Sequence, residues 1–169
     1  MSSTEMAYLE HVTHPFLPIH DGQSRILILG SFPSVKSRET DFYYGHPRNR
    51  FWSVLANIFS CDLPGTPEEK TQLILSHRLA LWDVIASCDV HASSDASVKN
   101  ADPVRISDVT DHNPIERVLL NGALAGRLYR QHLLPLCHLP CEVLPSTSAA
   151  NAAFSLERLC AVWGPALLH

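Results

Sequence analysis

Arg25-Ile26-Leu27-Ile28-Leu29 is a continuous apolar run that stops at Gly30. A run this short, bounded by a glycine, reads as a strand buried on both faces. Leu79 to Ile85, Ile115 to Leu120 (stopped by Asn121-Gly122) and Cys141 to Leu144 read as three further strands. Helical patterns lie between them. Asn49 to Phe59 puts Phe51, Trp52, Leu55, Ile58 and Phe59 on one face. Thr66-Pro67-Glu68-Glu69 is an N-cap, a proline at the first helical position and an acidic first turn, opening a helix through His77. Further helices are expected from Gly122 to about His132 and from Ala149 to Trp163, while the polar stretch 93–103 (SSDASVKNADP) reads as loop. Strands separated by helices need crossovers, so the expected fold is α/β: three layers, α/β/α, with a central, mainly parallel four-stranded sheet. In such sheets the ligand crevice lies beyond the carboxyl ends of the strands. The loops after Leu29, Ile85, Leu120 and Leu144 are therefore the ones to inspect.

The 169 residues, 46% apolar, suit one domain spanning 1–169, with 1–24 as an N-terminal extension packed on it. A charged fraction of 18% and a mean hydropathy near zero argue against disorder. No apolar run approaches the ~20 residues of a membrane span, and the N-terminus has neither the basic start nor the apolar stretch of a signal peptide. A cytoplasmic location is expected. Five cysteines are scattered, with Cys137 and Cys141 the only close pair. Ten histidines form no HxH or HExxH pattern; His11, His14, His132 and His138 read as surface or packing residues. No metal and no cofactor is expected.

Three loops carry unusual residues. The first is Gly30-Ser31-Phe32-Pro33-Ser34, followed by Lys36, Ser37 and Arg38. Its glycine, hydroxyls and cations suit a phosphate, although a plain strand-to-loop connection has the same composition. The second is Phe42-Tyr43-Tyr44-Gly45-His46-Pro47-Arg48-Asn49-Arg50. Adjacent aromatics can stack on an extruded base and arginines bind phosphate, whereas Asn49 can equally cap the helix that follows. The third is Pro145-Ser146-Thr147-Ser148, whose hydroxyls can cap a helix or approach a phosphate. GSFPS is not the GxSxG of a serine hydrolase.

Together these segments resemble a known family. GSFPSVKSRE (30–39), FYYGHPRNRFW (42–52), ALWDVIASC (80–88), SSDAS (93–97), LLNG (119–122) and LPSTSAANAAFS (144–155) are similar, in order and spacing, to the hypoxanthine-DNA (deoxyinosine) glycosylase branch of the uracil-DNA glycosylase superfamily. The resemblance covers roughly residues 26–159. It implies a uracil-DNA glycosylase-like fold and a DNA repair enzyme that flips a deaminated base, most of all hypoxanthine, and hydrolyses its N-glycosidic bond by water attack at C1′. Uracil as main substrate and a non-catalytic nucleic-acid-binding module are the alternatives. Mismatch-specific relatives carry a water-orienting asparagine in the first loop, where this chain has Phe32, and the aspartate of the uracil-specific branch is also absent. The resemblance therefore transfers catalysis to Asn49, whose neutral carbonyl would hold the water in line. It implies substrate contacts from Gly30, Ser31, Phe32, Pro33, Ser34, Phe42, Tyr44, His46 and Asn121, with Phe42 stacked on the base. DNA contacts fall to Lys36, Ser37, Arg38, Arg48, Ser146, Thr147 and Ser148. The third loop has Ala149 where the branch has proline. Asp83 and Asp95 are the carboxylates expected nearest the crevice, Asp83 more as a structural hydrogen-bonding group. Lyase chemistry would need an amine, and only Lys36, Lys70 and Lys99 exist. A monofunctional, monomeric enzyme is expected, with DNA as partner and no membrane.

The charge pattern fits this expectation. The chain carries a formal −4. Residues 25–50, however, hold five cations (Arg25, Lys36, Arg38, Arg48, Arg50) against Glu39 and Asp41. Local positive charge can grip a lesion whatever the global sum.

Overall fold

The computed structural model describes residues 9–91 and 94–168, and the side chains of all of these except 9, 91 and 94–98. In chain order the elements are β1 (Leu9–Thr13), β2 (Ile26–Gly30), α1 (Val35–Thr40), α2 (Phe51–Ile58), α3 (Pro67–Ser76), β3 (Leu79–Asp83), β4 (Ile85–His91) and β5 (Ser94–Pro103). They continue with α4 (Ser107–Thr110), β6 (Arg117–Asn121), α5 (Ala123–His132), α6 (Leu134–Cys137), β7 (Cys141–Leu144) and α7 (Leu156–Leu168).

The four expected strands form one sheet in the order β3-β2-β6-β7, every pair parallel. Ile26–Gly30 is buried along its whole length, as a central strand covered on both faces must be. Its register brings Gly30 opposite Asp83 and Leu29 opposite Leu120, so the carboxyl ends of β2, β3 and β6 open on one edge. Phe51, Leu55, Tyr129, Leu159 and Trp163 are among the buried side chains that helices contribute to the core beside the strands. Thr66 caps α3 by accepting from Glu69 N–H at 3.1 Å, as its sequence predicts.

The structure corrects four sequence expectations. The strand expected over Leu79–Ile85 is divided. Its first half ends at Asp83, where β2 itself ends and the parallel partner runs out. From Ile85 the chain enters a second, antiparallel sheet in the order β1-β4-β5. The stretch expected as loop, 93–103, contains the whole of β5, which pairs with β4 across three register shifts. That pairing is made by backbone groups, so alternation of side chains does not announce it. The region read as loop after Gly30 contains α1, capped by Ser34, whose hydroxyl accepts from Ser37 N–H at 3.1 Å. The last helix begins at Leu156 rather than Ala149 and runs to Leu168. Residues 149–155 form turns instead, Asn151 N–H donating to Ser148 carbonyl at 3.0 Å and Phe154 N–H to Asn151 carbonyl at 3.3 Å, and the Arg50 guanidinium donates to the carbonyls of Ser148, Asn151 and Phe154 as well.

The N-terminal segment lies across this edge. Ile19 bridges to Leu81, the Tyr43 hydroxyl donates to Leu17 carbonyl at 2.8 Å, and β1 pairs with β4. Among the described residues, no helix is long and apolar enough to cross a membrane, and no group of three or more His, Cys, Asp or Glu is placed to hold a metal.

Candidate active site

A cavity of about 190 Å³ opens at the carboxyl end of the parallel sheet. A void of ~150 Å³ already admits benzene, so the space is on the scale of a nucleobase. Its walls come from Gly30 to Ser34, Ser37, Tyr43, Tyr44, Asn49, Asp83, Asn121 and Ser146 to Ser148. Residues from all three unusual loops thus meet, although Gly30 and Ser148 are 118 positions apart in sequence.

Each wall is pinned. Gly45 N–H donates to the Ser37 hydroxyl at 3.0 Å, tying the aromatic loop to α1. The Trp52 indole donates to Tyr43 carbonyl at 2.9 Å, and the Trp163 indole to Pro145 carbonyl at 3.0 Å. Tyr44 has φ of 55°, a left-handed conformation that is costly for a bulky residue. Its ring stacks on Phe51 with centroids 4.1 Å apart, which carries its hydroxyl to the end of β2. There only glycine fits: a Cβ on Gly30 would lie 2.4 Å from Asp83 Oδ1 and 2.8 Å from the Tyr44 hydroxyl oxygen.

One side of the cavity is a network centred on Thr147, which is fully buried. Its hydroxyl donates to Asn49 Oδ1 at 2.8 Å and accepts from Asn121 Nδ2 at 3.0 Å, while its N–H donates to Asn121 Oδ1 at 3.0 Å. Asn49 Oδ1 also accepts from Phe51 N–H at 3.0 Å, so Asn49 both satisfies the first N–H of α2, one residue outside the Arg50 N-cap, and lines the cavity. The backbone donor fixes which end of the amide is oxygen. With both lone pairs of Oδ1 engaged, Nδ2 is the end without a described partner. The expectation that the carbonyl holds a water is corrected accordingly: the amide N–H₂ is the group available.

The opposite side holds Asp83, whose side chain is 5% exposed, as is that of His14. His14 Nε2 lies 2.8 Å from Asp83 Oδ2, and Phe16 N–H donates to His14 Nδ1 at 3.1 Å. The backbone donor makes Nδ1 the acceptor, so the ring proton is on Nε2 and points at Asp83. Burial pushes the Tyr44 hydroxyl well above the usual phenol range, and the Asp83 charge adds to it. The nearby Asn121 amide opposes that shift in part, although both of its polar atoms are already engaged by Thr147. Among the described residues the Tyr44 hydroxyl has no hydrogen-bond partner.

Two expected substrate residues lie off the cavity wall. Phe42 packs against Trp52 (6.2 Å between centroids) and Tyr43, with the Lys70 ammonium 5.8 Å from its ring. His46 is exposed, and its Nδ1 accepts from Arg48 N–H at 3.0 Å. Of the five cations, Arg25 precedes β2 and so sits at the far end of the sheet. Arg50 is an internal clamp on the third loop, adding the Thr147 carbonyl at 3.4 Å to the three already named. That leaves Lys36, 3.6 Å from Glu39, with Arg38 over the Phe32 ring and exposed Arg48. The side chain of Asp95 lies outside the described residues. Sequence reasoning placed His14 as surface or packing, and no local spacing marks it, because its partner is 69 positions away.

The parallel sheet, with a base-sized polar cavity at its carboxyl edge, is the fold of a uracil-DNA glycosylase-like protein, as comparison with solved structures shows. The solution NMR structure of a candidate uracil DNA glycosylase from Methanosarcina acetivorans matches with a TM-score of 0.75 and 31% identity, covering 91% of this chain and 97% of that one. A hypoxanthine DNA glycosylase of Methanosarcina acetivorans is 34% identical over 145 residues, 85% of this chain and 90% of the relative. Its counterpart from Methanosarcina barkeri is 31% identical over 138 residues, 80% of this chain and 86% of the relative. No protein-family model matches. The chain belongs to the hypoxanthine DNA glycosylase family.

Proposed function

We propose that this protein removes hypoxanthine from DNA as a monofunctional, monomeric glycosylase. The observation that carries this reading is the convergence of Asn49, the Gly30 loop and the Ser146-Thr147-Ser148 loop on one base-sized cavity. Extruding a nucleotide costs a few kcal/mol, and less when the base is mispaired, as hypoxanthine opposite thymine is. Ser146, Ser148 and the cations Lys36, Arg38 and Arg48 hold the phosphates on either side of the extruded nucleotide, while Thr147, expected as a DNA contact, is buried and orders the loop instead.

Breaking the N-glycosidic bond leaves positive charge on the sugar and negative charge on the base. The cationic sugar accepts a neutral water, whose surplus proton passes to the departing base anion or to solvent, so a positioned water suffices. Asn49 donates from Nδ2 to one lone pair of that water and leaves the other directed at C1′. Backbone N–H groups of the Gly30 loop and Asn121 face the departing base. No lysine among the described residues lines the cavity, which supports hydrolysis over lyase chemistry.

Duplex oligonucleotides carrying hypoxanthine or uracil, incubated with the protein and then treated with alkali, test this. Scission at hypoxanthine is expected, falling by about a hundredfold in Asn49→Ala. Scission at uracil alone overturns the substrate, and full activity in Asn49→Ala overturns the role of Asn49.

A further inference from the structure

Asp83 and the Tyr44 hydroxyl form a second polar group at the cavity floor, which water attack does not use. Asp83 ends β3, whereas Asn49 bonds to Thr147 after β7. In the order β3-β2-β6-β7 these positions are at least two strand spacings apart, roughly 10 Å. Both floor groups are buried, while Asn49 is half-buried. A base whose sugar stays outside therefore puts its glycosidic nitrogen near Asn49 and its far edge against Asp83 and Tyr44.

We propose that Asp83 and Tyr44 read the lactam edge of the extruded base: Asp83 Oδ1 accepts from the ring N–H (N1–H of hypoxanthine) and the Tyr44 hydroxyl donates to the adjacent carbonyl oxygen (O6). This rests on the reading of the protein as a hypoxanthine glycosylase. His14 is the positioning residue. It holds Oδ2 at 2.8 Å with a proton locked on Nε2, so Oδ1 is the oxygen left facing Gly30 and the Tyr44 hydroxyl. Burial and the neighbouring carboxylate keep that hydroxyl protonated, hence a donor. Adenine presents the reverse edge: its N1 lone pair would face the carboxylate with no proton between them. A buried group left unpaired in this way discriminates more strongly than a missing methylene does. Guanine carries the same edge as hypoxanthine, so its rejection lies in extrusion from a stable pair.

The test needs no variant. Oligonucleotides carrying hypoxanthine or unsubstituted purine are compared, each rate divided by its uncatalysed depurination rate. Purine is smaller than hypoxanthine, lacks O6 and has a bare N1, so sterics do not exclude it. Edge reading predicts at least a tenfold preference for hypoxanthine, the equivalent of about 1.5 kcal/mol for one charged hydrogen bond. Asp83→Asn, whose amide can turn its N–H₂ toward a bare N1, should narrow that preference. His14→Gln, which still offers an N–H, should keep it where His14→Leu does not. Equal removal of purine and hypoxanthine by the unmodified protein overturns edge reading and leaves the function standing. Failure to remove hypoxanthine at all overturns the function, and edge reading with it.

Discussion

Replacing Thr147 by valine removes one hydroxyl from the centre of the site and almost nothing else. The side chains have nearly the same volume, and the position is fully buried, so packing is kept. Two hydrogen bonds disappear: the 2.8 Å bond to Asn49 Oδ1 and the 3.0 Å bond from Asn121 Nδ2. Each is worth about 0.5–1.5 kcal/mol net, and an unsatisfied buried partner raises the cost to about 1–3 kcal/mol. Asn49 Oδ1 keeps its bond from Phe51 N–H, and the Thr147 N–H keeps Asn121 Oδ1, so the loop should stay folded. A stability loss of about 2 kcal/mol is expected, measured as a lower urea midpoint with an unchanged m-value. The excision rate should fall further than stability alone predicts, by about tenfold or more in single turnover, because Asn49 loses one of the two contacts that aim its amide. Thr147→Ser, which keeps the hydroxyl, should retain most of the rate. A valine variant with unchanged rate and midpoint would refute the hydroxyl as the organising group.

Gly30→Ala should abolish excision, because the new Cβ would lie 2.4 Å from Asp83 Oδ1; the fold should lose about 1–3 kcal/mol by thermal or urea melting. Arg50→Met removes a donor from four carbonyls, of which those of Thr147, Ser148 and Asn151 keep a backbone N–H, and should destabilise by about 1–3 kcal/mol, with the third loop showing faster amide exchange. Arg48→Ala should weaken DNA binding by a similar factor across sequences and reduce the slope of log affinity against log salt by about 1, measured by fluorescence anisotropy. A variant at Arg50 that melted normally but bound DNA weakly would reverse the assignments of these two arginines.

The parallel sheet was legible because its strands are apolar throughout: Ile26 to Leu29 and Leu79 to Leu81 have no polar position that could face water. The α3 start was legible because capping is local chemistry. The antiparallel β1-β4-β5 sheet was not, since its strands carry His11, Asp89, Lys99 and Asn100 and show no clean alternation. At the site, loop positions followed from the sheet, and the similarity to a known family pointed to Asn49. Roles that depend on distant partners stayed hidden. Arg50 looks like a phosphate ligand until the carbonyls of 147–154 fold onto it, and His14 looks like a surface histidine until Asp83 arrives. Phe42 looks like a stacking platform, but Trp52 lies beneath it.

The bonds that build the cavity also set when it can exist. His14 and Asp83 are 69 residues apart, Asn49 and Thr147 are 98, and Arg50 reaches Phe154 across 104. Contacts of such separation close large loops and form late in folding. A nascent chain that has emerged only as far as β6 already holds Asn49, Gly30 and Asp83. It lacks, however, the Thr147 hydroxyl that completes the hold on the Asn49 amide begun by Phe51 N–H, and it has nothing to wall the third side. Competence to cut a glycosidic bond thus arrives in one step, with the last thirty or so residues. An interrupted polypeptide is an inert one rather than a loosely specific nibbler of DNA.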